Sequence, residues 1–420
     1  MPSCPTGAGS LLRPPHELSS MSRRATPSPP RPDRDTAAEL IAAAEAFVPH
    51  VRAAREECER LRHVPPAMAE AMARAQFLQM YMPKALGGPQ VSPLTAYRVV
   101  ETISRADGSI GWCAMIATAQ SAYGGWLPLD IGRAMAGNPA DLRLAGSIRP
   151  LGKATPVPGG YRVSGQWDFA SGIHHATWLL GTSMIMDGEK PRKDANGAPV
   201  WRIMWIPKAQ VRIEDTWHVV GLRGTGSHDF VVEDVFVPSA HSTSPAEPPQ
   251  HGDPHYNPRL HATWAWTATV ANSLGIARGA MDAFADMATT KSSTMSSALL
   301  RDRPLVQART AEAEAIINAA RAYVLDTVGR AWDLANGGEG DLDAVIMQAR
   351  LAITHGMHEA RRAVDLLFHA AGTNAVYTRG PLERCFRDIH VAIQHGAALP
   401  VHMESAGKVL LGLRPTDPGW

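Results

Sequence analysis

Beyond Thr36, apolar residues recur at alternating spacings of four and three: Leu40, Ala44, Phe47, Val51, Ala54, Cys58 and Leu61. That rhythm lays one apolar stripe along a helix turning about 100° per residue. Pro49 falls inside the stripe, has no amide hydrogen to give, and predicts a kink or a split. "PAMAEAMARAQFLQMYM" and "SPLTAYRVVETISRA" continue the helical pattern. "IGWCAMIATAQSAYGGW" is apolar on every face and reads as a buried helix.

The period then shortens. In "PGGYRVSGQWDFASG" a turn at Pro158, Gly159 and Gly160 precedes alternation, with Tyr161, Val163 and Gly165 against Arg162, Ser164 and Gln166. "TWLLGTSMIM", "VWRIMWIP", "QVRIEDTWHVV" and "DFVVEDVFVP" are further strands at short spacing. Strands without long helices between them predict an antiparallel sheet or barrel. From about His261 the helical period returns, with Ala313, Ile317, Ala320 and Val324 on one face. "NGGEGD" separates two helices, and Gly372 stops the second. The predicted class is α+β: a tail over 1–36, a helical domain over 37–140, a β-barrel over 141–255, and a helical bundle over 256–415.

Composition narrows the function classes. The chain has 420 residues, 45% hydrophobic and 19% charged, enough for a large core. Its formal net charge of +1 points to neither nucleic acid nor a membrane surface. No stretch approaches the ~18 apolar residues of a spanning helix. Cys4, Cys58, Cys113 and Cys385 are widely spaced and read as reduced thiols of a cytoplasmic protein. The Pro-, Ser- and Arg-rich start reads as disordered, lacks a signal-peptide apolar core, and leaves Met21 as an alternative start.

Common motifs are missing. "GLRGTG" (Gly221 to Gly226) has the wrong glycine spacing for a dinucleotide fold and leads into a strand, so it reads as a tight inter-strand turn. No Walker loop and no Ser-His-Asp order is present. In "RDIHVAIQHGA" His390 and His395 are five residues apart, about 140° around one helix. They cannot share a metal as an i, i+4 pair does.

Several stretches in order resemble the acyl-CoA dehydrogenase family over roughly residues 37–412: "ISRADGSIGW", "YRVSGQWDFASGIHHATW", "GLRGTGSHDFVVEDVFVP" and "FHAAGTNAVYTRGPLERCFRDIHVAIQH". The resemblance implies a helical N-terminal domain, an antiparallel β-barrel and a C-terminal four-helix bundle. Dehydrogenases of the family often place a glutamate base at about the position of Gly396, and glycine offers none. "RADGSIGW", "FASGIHHATW" and "RDIHVAIQH" look more like the two-component flavin monooxygenases of the family. Those proteins use reduced flavin and O2, through a C4a-hydroperoxyflavin, and typically carry a histidine where His395 lies.

The resemblance also implies the site. His395 would donate to the peroxide or shuttle a proton; otherwise it is an interface histidine. Ser171 would sit near the flavin N5 with Phe169 against the ring, where a plain reading is an ordinary strand end. Trp167 would flank the ring or fill the barrel core. Ser147 is a flavin-contacting or a plain loop serine. Gly372, Thr373 and Asn374 match a cofactor-holding turn and equally a helix C-cap. Arg301, with Arg303, is a phosphate contact or a surface arginine. Trp112, Gln120 and Tyr123 would meet substrate or be buried as core of an apolar helix, and His390 would be structural or sit at the pocket edge.

Phenol hydroxylases of this branch tend to carry a histidine at the position of Gln120, which can bond a neutral group but is no base. That shifts the expected substrate from a simple phenol toward an indole, polycyclic or other heteroaromatic. The implied enzyme is the oxygenase component, taking FADH2 or FMNH2 from a separate NAD(P)H-dependent flavin reductase, as a homotetramer. The alternatives are an acyl thioester desaturase and a catalytically silent flavin-binding homologue.

Overall fold

The structure, a computed structural model, describes residues 34–136, 141–293, 297–378 and 380–415. The tail expected over residues 1–36 lies outside the described residues except for its last three, which open α1 (Arg34–Leu61). Pro49 does not divide this helix. It faces solvent, where water can serve the carbonyl that loses its partner.

Four more helices follow: α2 (Pro66–Arg74), α3 (Pro93–Ala106), α4 (Gly108–Ser121) and α5 (Leu129–Ala136). The Ser92 hydroxyl caps α3 by accepting from the Thr95 amide, and Asp107 caps α4 by accepting from Ile110. Helix α4 is buried on nearly every face, as its uniformly apolar sequence requires.

The strands are β1 (Leu144–Val157), β2 (Gly160–Ala170), β3 (Trp178–Asp187), β4 (Lys190–Pro191), β5 (Trp201–Pro207), β6 (Arg212–Glu214), β7 (His228–Pro238) and β8 (Ser242–Thr243). They form one sheet in the order β6-β7-β2-β1-β3-β5-β8, with β4 on β3. The antiparallel barrel expected from the short connections is not what forms. The sheet is mixed, because β1 and β3 run parallel, and among the described residues no pairing joins β6 to β8. Strand β2 ends beside the start of β1, its antiparallel partner. Residues 171–177 therefore need only step over the start of β1 to begin β3 in the same direction.

The last helices are α6 (His261–Ala288), α7 (Pro304–Ala335), α8 (Leu342–Ala371), α9 (Pro381–Ala392) and α10 (Val401–Leu410). Helices α6 to α9 pack on one another, and α3 packs on α6. The N- and C-terminal helices consequently share one hydrophobic core, while the sheet keeps its own around Trp167, Phe230 and Met204.

The connection from β6 to β7 enters the helical core. Gly221 passes so close to the Arg387 carbonyl of α9 that a Cβ would overlap it. We predict that Gly221→Ala costs about 1–3 kcal/mol by overpacking and lowers the thermal midpoint measured by calorimetry. An unchanged midpoint would show that α9 and this connection do not touch.

Candidate functional site

Alternation along β2 buries Val163 and Trp167 on its inner face. The pattern breaks at Phe169, which adopts φ +60° where the register with β7 shifts. Its ring is thrown outward, 59% exposed, with its edge against Trp217 at 6.2 Å between centroids. A positive φ at a bulky aromatic is strained, and an exposed one costs apolar burial as well.

Ser171 follows at the start of the turn and is buried. It receives the Trp112 indole N–H at 3.1 Å and lies 2.6 Å from the Ser227 hydroxyl. Ser227 lies 2.6 Å from the Thr225 hydroxyl, which donates to the Leu222 carbonyl at 2.9 Å. The chain thus runs from α4 through the β2 end into the 221–227 connection. Backbone contacts fix it: the Gly172 amide donates to Thr225 O, and the Cys113 thiol points at the same carbonyl. Leu222 takes φ +50° and donates its amide to Asp388 at 2.6 Å.

His395 packs against Trp112 in a T-shaped contact at 5.5 Å between centroids. It is not in a helix with His390. Helix α9 stops at Ala392, and His395 caps a short 3-10 turn, Gly396–Ala398. Its Nδ1 accepts the Ala397 amide at 3.2 Å, so in the neutral ring the hydrogen sits on Nε2. Burial pushes its pKa down to about 4, which keeps the ring neutral at pH 7. The turn is held from behind by the Thr354 hydroxyl on Ala397 O and by His358 and His402 on Ala398 O and Gly396 O.

Along α4, Gln120 is 6% exposed. Its Nε2 donates to Gly146 O at 3.0 Å, which leaves Oε1 as an acceptor with no partner among the described residues. The neighbouring Ser147 is buried, its carbonyl taking the Thr182 hydroxyl. Tyr123 is buried beside His261 at 4.5 Å between ring centroids, with Trp126 nearby.

The structure separates other expected residues from this cluster. Trp167 is fully buried in the sheet core, stacked on Phe230 with its indole N–H on Thr182 O, so it cannot flank a ligand ring. His390 points to α8, its Nε2 2.9 Å from Asp365 and its ring on Phe386. Arg301 sits exposed on a 3-10 turn, Leu300–Asp302, beside Asp302. Gly372 takes φ +58° as the C-cap of α8, Thr373 is exposed, and Asn374 donates to Ser292 O. The "GLRGTG" segment is no mere inter-strand turn, because it carries Leu222 and Thr225. Thr225, Ser227 and Asp388 escaped the sequence reading. The hydroxyls flanking Gly226 were the available signal.

Two family models match the chain: acyl-CoA dehydrogenase, N-terminal domain, over residues 34–128, and acyl-CoA dehydrogenase, C-terminal domain, over residues 267–400. The indole-3-acetate monooxygenase of Pseudomonas putida is 34% identical over 88% of this chain and 92% of its own. The flavin-dependent monooxygenase oxygenase subunit HsaA of Rhodococcus jostii (strain RHA1) is 31% identical over 85% of this chain and 94% of its own. The structure of XiaF from Streptomyces sp. in complex with FADH2 and glycerol superposes with a TM-score of 0.82 at 25% identity, covering 91% of this chain and 98% of that one.

Burial, and next to it the Asp107 carboxylate, push the Asp388 carboxyl up to about 8. An acid raised above its ordinary value of about 4 holds a proton in the folded chain that the unfolded chain has released. Its stabilisation is complete below about pH 4 and drains as pH rises through about 8. Asp388→Asn keeps an acceptor for the Leu222 amide. We predict a flatter thermal midpoint between about pH 5 and pH 8 than in the parent chain; an identical slope would exclude Asp388 as its source.

Proposed function

We propose, because the chain belongs to the acyl-CoA dehydrogenase family and to its flavin-dependent monooxygenase branch, that the Trp112–Ser171–His395 cluster is its reaction site. The chain is the oxygenase component of a two-component system: it uses reduced flavin and O2, receives the flavin from a separate reductase, and oxidises an aromatic small molecule. The observation that carries the site is the hydroxyl chain ending at Ser171, whose partner Trp112 packs on His395, with exposed Phe169 two residues before it. A flat ring with polar edges needs such an apolar platform beside fixed donors and acceptors.

Reduced flavin, when bound, supplies the electrons that activate O2. Phe169 would support the ring, and Ser171 and Ser147 would meet its polar edge. His395 offers a neutral Nε2–H donor and does not supply a free proton at neutral pH. Trp112 closes the end of the cluster against water. No carboxylate base contacts the cluster among the described residues, since Asp388 is turned to the Leu222 amide. That speaks against the acyl thioester desaturase. The Gln120 amide oxygen would take an N–H or neutral O–H of the substrate, which favours an indole or a comparable heteroaromatic over a phenolate. A homotetramer is supported by the exposed apolar residues Leu410, Leu411 and Leu413. A cytoplasmic site is supported by the free thiols Cys58, Cys113 and Cys385.

With reduced flavin and O2, His395→Ala should release H2O2 in place of product, cutting product formed per flavin oxidised by about tenfold or more. His395→Gln, which places an amide donor near the Nε2 position, should keep part of the coupling. Full coupling in His395→Ala would remove His395 from the mechanism. Gln120→Leu should weaken indole binding about fivefold, the equivalent of one net hydrogen bond, and leave N-methylindole unchanged. Equal losses for both in a titration would refute the Gln120 contact.

A further inference from the structure

The directions along the hydroxyl chain follow from its far end, where the Leu222 carbonyl takes the Thr225 hydroxyl at 2.9 Å together with the Thr225 amide and the Trp217 indole N–H at 3.1 Å each. Thr225 spends its only hydroxyl hydrogen on the Leu222 carbonyl. The 2.6 Å contact between Thr225 and Ser227 must then use the Ser227 hydrogen. The 2.6 Å contact between Ser227 and Ser171 must in turn use the Ser171 hydrogen. Trp112 can only donate, so it fills one lone pair of Ser171. Every hydrogen therefore points one way, from Trp112 through Ser171, Ser227 and Thr225 to Leu222 O. One lone pair of Ser171 is left, and no hydrogen.

We propose that Thr225 and Ser227 are positioning residues that hold Ser171 as a hydrogen-bond acceptor only, so that the site discriminates between flavin oxidation states. This rests on the reading that Ser171 meets the flavin N5. In reduced flavin N5 carries a hydrogen and can donate to Ser171. In oxidised flavin N5 carries a lone pair, which would face the Ser171 lone pair. Two buried acceptors in contact leave both unsatisfied. Ser171 could turn its hydroxyl to the oxidised ring only by abandoning Ser227, and the anchor at Leu222 opposes that through two short bonds. Leu222 is itself fixed by Asp388, so the polarity of the buried Ser171 hydroxyl is set from α9.

The test is the dissociation constant of oxidised and of dithionite-reduced FAD and FMN, measured by anaerobic titration of the full chain and its variants. The quantity read is the ratio of the oxidised to the reduced constant. Ser227→Ala and Thr225→Val each free the Ser171 hydrogen and should lower that ratio about tenfold, equivalent to about 30 mV in the midpoint potential of the bound two-electron couple. Thr225→Ser keeps the anchoring hydroxyl and should retain the parent ratio. A role in folding alone would weaken both constants together and leave the ratio where it was, which overturns the proposal. An unchanged ratio in Ser227→Ala and Thr225→Val, with a lowered one in Ser171→Ala, overturns the polarity while leaving flavin at Ser171. If Ser171→Ala moves neither constant, the flavin does not meet Ser171, and the site reading falls with the proposal.

Discussion

The hydrogen bond from the Leu222 amide to Asp388 is the constraint on which the site depends. Leu222 sits in the left-handed region, where a side chain with a Cβ is disfavoured, and it stays there because a buried carboxyl takes its amide. From that point the connection delivers Thr225 and Ser227 to Ser171, and Ser171 to Trp112. Seven residues beyond Asp388 the same C-terminal segment brings His395 against Trp112. The path closes on itself. A helix of the last third grips a connection of the sheet, and the turn after that helix presents the histidine to Trp112. Neither helical part nor the sheet could build this cluster alone.

The order of helices, strands and helices was legible because each third keeps one hydrophobic period. The parallel pairing of β1 and β3 was not, since short connections usually mean antiparallel neighbours. It depends on where β2 ends, a tertiary fact. His395 was legible through resemblance, but its local structure was not. "RDIHVAIQH" continues a helical pattern that the chain ends at Ala392, where no glycine or proline marks the stop. The segment is pulled away by the contacts of Thr354, His358 and His402 with the following turn.

Trp167 and Phe169 show what strand periodicity alone leaves open about a site. Two residues apart on a regular strand, they would share a face; the family resemblance put Phe169 against the cofactor and left Trp167 either beside the ring or in the barrel core. The positive φ of Phe169 breaks the alternation in the structure, leaving Trp167 in the core and sending Phe169 outward. The strained residue is the one that gains access to a ligand. Backbone dihedrals of this kind have no signature in composition when the residue is not glycine, and the Ser-Gly pair after it signals only that a turn comes next.

The same local events explain the electrical character of the cluster. Serine, threonine, tryptophan and glutamine carry no charge, and burial keeps the His395 imidazole neutral. The charged groups lie behind the 221–227 connection, where Arg387 pairs with Glu59 and Glu383 and Arg384 lies near Asp107. Such an arrangement stabilises by dipoles of fixed direction and keeps mobile protons away. Fixed dipoles hold their orientation without reorganising when a ligand arrives, whereas an ionised side chain in the same place would bring its own pKa and its own counter-ion. The direction of each dipole then becomes the specificity element. At Ser171 that direction is inherited, through two hydroxyls, from a single backbone carbonyl.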